Sequence, residues 1–458
     1  MSNRNLIKNG RINLLQAVKP VSYALLLSAM VLSTPQLYAQ QSSNGPGPQN
    51  RGDDSGKQEI PDGGNIHGVE NLAYYGDWDS NRVFIIDVDE MSLLETVTGT
   101  GDGPYGVDQQ DATKAYALTR RAESLTVIDN YYMENAGDIL LDHKPRSTNY
   151  NADTGLSLVS GADKVMTSII KVDNDKVVKV MGFVDPATPH DYGGSLATGH
   201  PLWVDNQRFF MLDRAERQIQ LWNRKGKLLS AIDTPTSVHH IFQAPSGGLD
   251  YIYYAVVEGN QGESLSPSIL RFKIRKGKLV VTAEAILADY GSDLDPALMG
   301  SHHATFHPDG AHIYIGSTEG HVFVVHKNSM KIVTMIDTGK GSGHVTFAPM
   351  HNLAFVTNHN DTFMTVIDTT THTFLKNIEV ASIASPTFKS QSHTSGISPD
   401  MRYFYSAASH DGVFFEIDME VHIDDMEVSD TLQLGTGSND IPNILMGSFI
   451  WNGEGDGM

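Results

Sequence analysis

Four histidines occupy one position of a repeating pattern. His303 lies five residues before Pro308, His344 five before Pro349, His240 five before Pro245 and His200 five before Asp205. Imidazole suits Zn²⁺ or Cu²⁺, and three or four imidazoles satisfy a tetrahedral zinc ion. The chain has no cysteine, which removes disulfides, thiolate metal sites, iron–sulfur clusters and c-type haem attachment. Histidine, carboxylate and water remain as ligands. Zinc is the expected ion and copper the alternative. A second set, His239, His302 and His393, stands one residue earlier. Successive strand residues face opposite sides, so one member of each doublet is expected to face the site unless the backbone turns there. The first set is the expected one, with His393 replacing Thr394 if its repeat is shifted by one. The matching positions elsewhere hold Tyr105, Arg146 and Thr394. Tyr105 and Arg146 would hold an anion or orient a bound water, or serve a structural role. Asp440 is a candidate carboxylate to complete the ion's shell.

The elements that position these residues are short strands. From Gly300 the chain reads SHHATFHPDG, AHIYIGS, GHVFVVH, KIVTMIDTG. Units of about 40 residues of this kind begin near Gly103, Lys144, Gly199, Ser237, Gly300, Gly341 and Ser392. Alternating β-branched and aromatic residues bounded by Gly, Asn, Asp and Pro define four-stranded propeller blades, and helical periodicity is nearly absent. The first unit, NLAYYGD onward, lacks an inner strand, and IPNILMGSFI at 441–450 supplies one. The expected fold is therefore all-β: an eight-bladed β-propeller over 64–452 whose ring is closed by the C-terminal strand, or seven blades if the Lys144 unit is degenerate. The histidine position starts the innermost strand, so residues far apart in sequence converge on one axis.

Basic Arg4, Lys8, Arg11 and Lys19, an apolar core at 23–32 and Leu37-Tyr38-Ala39 define a secretory signal over 1–39. The core has about ten residues, against the roughly 20 of a membrane span. Residues 40–63, rich in Gln, Ser, Asn, Gly, Pro and Asp, are read as a disordered linker. The expected location is the periplasm, without membrane insertion after cleavage. The formal charge is −21, and losing four basic and no acidic residues with the signal gives −21 − 4 = −25. Such a surface repels nucleic acid and anionic lipid; a monomer is expected. The other histidines (67, 143, 190, 307, 312, 321, 326, 351, 359, 372, 410 and 422) are assigned to loops or outer strands. The acidic turns DWDSN (77–81), DVDEM (87–91) and DNDK (173–176) lack the EF-hand pattern. GTGDG (99–103) lacks a phosphate-loop lysine, and no nucleophile elbow is present. Tyr131, Tyr132 and the run YIYY (251–254) read as strand core.

Runs such as VFIIDVD, LTVIDN and MTVIDTT give the blades a YVTN-like character, and the sequence resembles that broad propeller group. It resembles the AztD-type periplasmic zinc chaperones generally over 66–450, most closely at GHPLWVDNQRFFMLD (199–213). That resemblance implies a non-enzymatic zinc binder whose partner is the periplasmic solute-binding protein of an ABC metal importer. A histidine-rich flexible segment of that family is missing here. The doublets His239-His240 and His302-His303 also resemble the propeller of nitrous oxide reductase, which implies copper, although its electron-entry domain needs cysteines. The eight-bladed d1-haem propellers are a third resemblance and imply a tetrapyrrole. The alternatives to a zinc chaperone are a copper- or haem-dependent oxidoreductase-like propeller and a metal-free interaction scaffold. Because neutral imidazole is the ligand form, binding is expected to weaken as pH falls through roughly 6–6.5.

Overall fold

The computed structural model describes residues 65–182, 196–244, 252–384, 389–435 and 440–451. The expected signal segment, the linker and His190 lie outside them. The described residues form 32 β-strands and five short 3₁₀ turns. None of their helices is long and apolar enough to cross a membrane.

The strands build eight antiparallel sheets of four, each a blade of an eight-bladed propeller. Seven blades use consecutive strands. The remaining sheet joins Ile444–Trp451 to Asn71–Asp77, Arg82–Asp87 and Ser92–Val97. The C-terminal strand thus supplies the inner strand of the first blade, as its sequence position implied, and the Lys144 unit is a complete blade. Closure leaves no unpaired inner edge. Arg82 fixes the join, donating to Asp77 at 2.9 Å and to Asp440 at 3.0 Å. Asp440 therefore belongs to the closure and not to an ion's shell, contrary to the sequence expectation. It flanks the closing strand in sequence, and the charge of Arg82 holds it there.

Between blades lie buried apolar layers. Phe242, Tyr254, Val256 and Ile269 of one blade pack with Ala304, Phe306, Ile313 and Phe323 of the next. Burying one such large side chain stabilises the fold by roughly 1.5–3 kcal/mol. Tyr253 and Tyr254 are core, as expected. Tyr131 and Tyr132 are not: they stand exposed in a turn after the strand Ser124–Asp129, because Asp129 caps that turn by accepting from both of their backbone N–H groups.

One irregularity recurs at the start of the inner strands. Ser301 pairs with Ser317 and Ala304 with Ile315, so His302 and His303 together oppose Gly316. In the same way Gly343 and His344 oppose Thr357, Tyr105 and Gly106 oppose Leu118, and Arg146 and Ser147 oppose Ser160. His239 is bulged between Val238 and His240. The closing strand repeats the device with Leu445 and Met446 opposite Gly76. A two-against-one bulge suspends strict alternation and re-aims side chains.

Candidate metal centre

The bulge decides what the histidine doublets can do. Alternation along a regular strand would send one member of each doublet away from the channel. Instead the rings of His302 and His303 lie 4.7 Å apart, and the ring of His239 is 4.2 Å from His302 and 4.7 Å from His303. Both sets enter one cluster, which corrects the expectation that only the first set faces the site.

Two groups have ligand atoms all within 4.8 Å of one another: His302, His344, His359 and His393 form one, and His200, His239 and His303 the other. They abut, since the rings of His303 and His344 are 3.9 Å apart. His240 borders the smaller group, 4.9 Å from His303 and 6.1 Å from His200. Eight imidazoles from five consecutive blades are therefore contiguous, more than the four-blade arc read from spacing.

His359 was assigned to a loop or outer strand, and the structure brings it into the larger group. It follows the second strand Leu353–Asn358 of its blade, where the chain turns back toward the channel mouth, and its N–H donates to Gly341 O at 3.0 Å. The corresponding residues after the other second strands are Trp78, Arg120, Ala162, Arg214, Glu258, Thr318 and Ser409, three of them charged. Aligning the ends of the second strands would have set His359 beside Arg120, Arg214 and Glu258. The register also moves two predicted residues. Tyr105 and Arg146 stand level with His302 and not with His303, because the length of the following turn varies between blades. Thr394 is turned to the closing strand, donating to Gly447 O at 3.1 Å, while His393 enters the site beside it.

Several rings are fixed in the tautomer that a metal ligand needs. His239 Nδ1–H donates to Glu258 Oε1 at 2.7 Å, and Glu258 is paired with Arg214. His359 Nδ1–H donates to Gln391 O at 3.1 Å, and His393 Nδ1–H to Leu445 O at 3.2 Å. Each leaves Nε2 unprotonated, the usual second-sphere arrangement of a coordinating histidine. Among the buried ring nitrogens, His240 Nδ1, His302 Nε2, both nitrogens of His344 and Nε2 of His359 have no hydrogen-bond partner in the protein. An unsatisfied buried polar atom costs about 1–3 kcal/mol, so histidines kept only for packing would not be arranged this way. Two histidines outside the cluster are satisfied by contrast: His143 Nε2 meets Ser168 Oγ at 2.9 Å, and His351 Nε2 meets Met401 O at 2.8 Å.

Two glycines create the space. A Cβ on Gly343 would lie 2.4 Å from His359 Nε2, and one on Gly199 would lie 2.7 Å from His239 O. At Gly199 the close approach lets His200 N–H donate to His239 O at 3.0 Å, tying neighbouring blades together at the cluster.

The surrounding charge is positive. Arg146 Nη2 lies 3.3–3.4 Å from the ring nitrogens of His239 and its Nη1 donates to Thr198 O. Arg120 stacks on Tyr105 at 3.3 Å, and the Tyr105 ring is 6.3 Å from His393. Burial pushes Lys389 down to about 8 and Arg146 down to about 9. Burial, then the charge of Arg146, holds His200 and His239 well below the ordinary imidazole range and brings His240 to about 4. Burial, then Lys389, brings His393 to about 3 and depresses His359. Burial and neighbouring imidazoles do the same for His302, His303 and His344. The rings are neutral at pH 7, the form that binds metal. The pH at which protons compete for the folded site therefore lies below the 6–6.5 expected from free imidazole.

No protein-family model and no characterised protein sequence matches the chain. Among solved structures, it is similar to a dihydro-heme d1 dehydrogenase, NirN, in complex with DHE, with 15% identity and a TM-score of 0.58 over 88% of this chain and 78% of that one. It is similar as well to apo AztD from Citrobacter koseri, with 11% identity and a TM-score of 0.55 over 83% of this chain and 98% of that one. A second AztD structure from the same organism gives 12% and 0.56 over the same shares. The chain fits an AztD-like propeller, and at these identities the likeness establishes the fold alone.

Proposed function

We propose that this chain is an exported zinc-binding propeller that holds the ion at its histidine cluster and passes it to the periplasmic solute-binding protein of an ABC metal importer. The observation that carries the reading is the set of buried imidazole nitrogens that lack protein partners and lie within bonding reach of a shared ion. The metal ligands are assigned to His200, His239, His302, His303, His344, His359 and His393, with His240 at the margin. Neutral nitrogen donors without thiolate suit zinc and also copper; the AztD-like fold favours zinc. Cargo and not catalysis is the role assigned to the ion.

Untagged protein reconstituted with Zn²⁺ and passed through a desalting column is expected to retain at least one equivalent. His303→Ala with His344→Ala is expected to abolish retention. Absence of zinc, or unchanged affinity in the double variant against a chromophoric chelator, would overturn the reading. Transfer is tested by mixing the zinc-loaded protein with an apo solute-binding protein encoded beside its gene and measuring zinc in each after separation.

A second reading, a copper- or haem-dependent oxidoreductase-like propeller, is favoured by the cationic side of the cluster. Arg146 and Arg120 would suit the carboxylates of a tetrapyrrole, and the fold is also that of NirN. A visible absorption band on loading with Cu²⁺ or haem, held more tightly than Zn²⁺, would select it.

A further inference from the structure

The two histidine groups differ in kind. The larger offers four imidazoles, enough to close a tetrahedral shell with protein ligands alone. The smaller offers three. Closed four-ligand shells belong to sites that retain zinc, and three-ligand shells to sites that leave one position for an outside ligand. Charge separates them further. Every ligand is a neutral imidazole, so no ligand offsets the charge of a dication. Glu258, the carboxylate beside the smaller group, is engaged by Arg214 and by His239 Nδ1. Arg146 adds a further positive charge within hydrogen-bond distance of His239. An ion in the smaller group thus lacks both a fourth ligand and charge compensation, and a guanidinium N–H stands beside the coordinating nitrogen.

We infer that the cluster is two metal sites, a closed one of four imidazoles and an open one of three, and that the fourth ligand of the open site is a small monoanion held by Arg146. The inference rests on the metal-binding reading above. On binding, the Arg146 Nη2–H now directed at the His239 ring turns to the anion, a charge-assisted hydrogen bond. Arg146 is a positioning residue here, because it acts on the ion through the anion. An open position also supplies a route for ion exchange: an incoming carboxylate can replace the anion while three imidazoles still hold the metal.

Co²⁺ serves as the probe, since its visible bands report coordination. Titration of the apo protein is expected to saturate at two equivalents. Azide is expected to shift the bands of one equivalent only, and acetate to compete with it if carboxylates are accepted. His200→Ala is expected to lower the stoichiometry from two to one and to abolish the azide response. Arg146→Met is expected to weaken azide binding about 10-fold, and Arg146→Lys, which keeps the charge but loses the fork, to restore part of it. Saturation at one equivalent would overturn the two-site inference while leaving metal binding intact. An azide response undiminished in Arg146→Met, or persisting in His200→Ala, would overturn the anion assignment. Failure to bind Co²⁺ or Zn²⁺ at all would instead refute the underlying reading. Circular dichroism of each variant separates loss of the fold from loss of the site, and a misfolded Arg146→Met leaves Arg146→Lys to decide.

Discussion

Blade 3, which begins at Pro145, and blade 6, which begins at Ser301, open with the same bulge and present opposite chemistry. In blade 3 the two bulged residues are Arg146 and Ser147; in blade 6 they are His302 and His303. The backbone device is common to both, and the side chains decide whether that stretch of the channel mouth is cationic or lined with imidazole. The comparison extends around the ring. The closing strand and blade 2 place Leu445, Met446, Tyr105 and Gly106 at the bulge, whereas the arc from His200 to His393 carries eight clustered imidazoles. A propeller can thus vary the chemistry of its channel mouth blade by blade without altering the sheets behind it, because each bulged pair is released from the alternation that governs the rest of the strand.

The contrast is broken most severely by removing ligands from the histidine arc. His359→Ala with His393→Ala is expected to lower zinc affinity by more than the roughly 10–100-fold that loss of an outer partner costs, measured by competition with a chromophoric chelator. The corresponding change on the other arc, Tyr105→Phe, is expected to leave that affinity unaltered.

A smaller effect tests the space that the bulge requires. Gly343→Ala would bring a Cβ to 2.4 Å from His359 Nε2, and Gly106→Ala would first meet the side chain of Met446. The first is expected to reduce zinc affinity about 10-fold by displacing a ligand. The second is expected to lower the melting temperature and spare affinity. Equal losses of affinity would show that the two arcs are coupled through the ring and not chemically independent.

Charge offers a test with the opposite sign. Burial and then the charge of Lys389 depress His359 and His393, and the same charge opposes a dication. Lys389→Met is expected to tighten zinc binding by several-fold, detectable by the same competition at low salt. Weaker binding would make Lys389 a supporting group instead.

The smallest effect is thermodynamic. The clustered imidazoles are depressed in the folded chain, His240 to about 4 and His393 to about 3, against roughly 6.5 when unfolded. Between those limits the unfolded chain binds more protons, so apo stability is fully present above pH 6.5 and is lost as pH falls toward the folded values. The melting temperature of the apo protein is expected to drop on going from pH 7.5 to 5.5, and less so with zinc bound. A pH-independent melting curve would mean that the rings are already protonated or exposed.

Much of the architecture was legible in the sequence. Strand periodicity, the turn residues and the orphan strand at the C-terminus are local signals, and together they define eight blades and their closure. The alignment on Pro308, Pro349, Pro245 and Asp205 likewise placed His240, His303 and His344 on inner strands and His200 just ahead of one, which begins at Leu202. The lack of cysteine narrowed the ligand chemistry outright.

Other features depended on tertiary structure. Whether His302 or His303 faces the channel was undecidable from alternation, since a bulge depends on how two strands pair and one strand's sequence does not contain its partner's register. The place of His359 depended on the turn of a neighbouring strand end toward the axis, and that of Asp440 on Arg82, some 358 residues away in sequence. The pKa values were likewise beyond reach, because desolvation comes from what surrounds a group in space. The residue types determined that this chain could bind a metal. Only the convergence of five blades decided that eight imidazoles stand together, seven of them in two groups of unequal completeness, because a ring gathers at its axis side chains that sequence order keeps far apart.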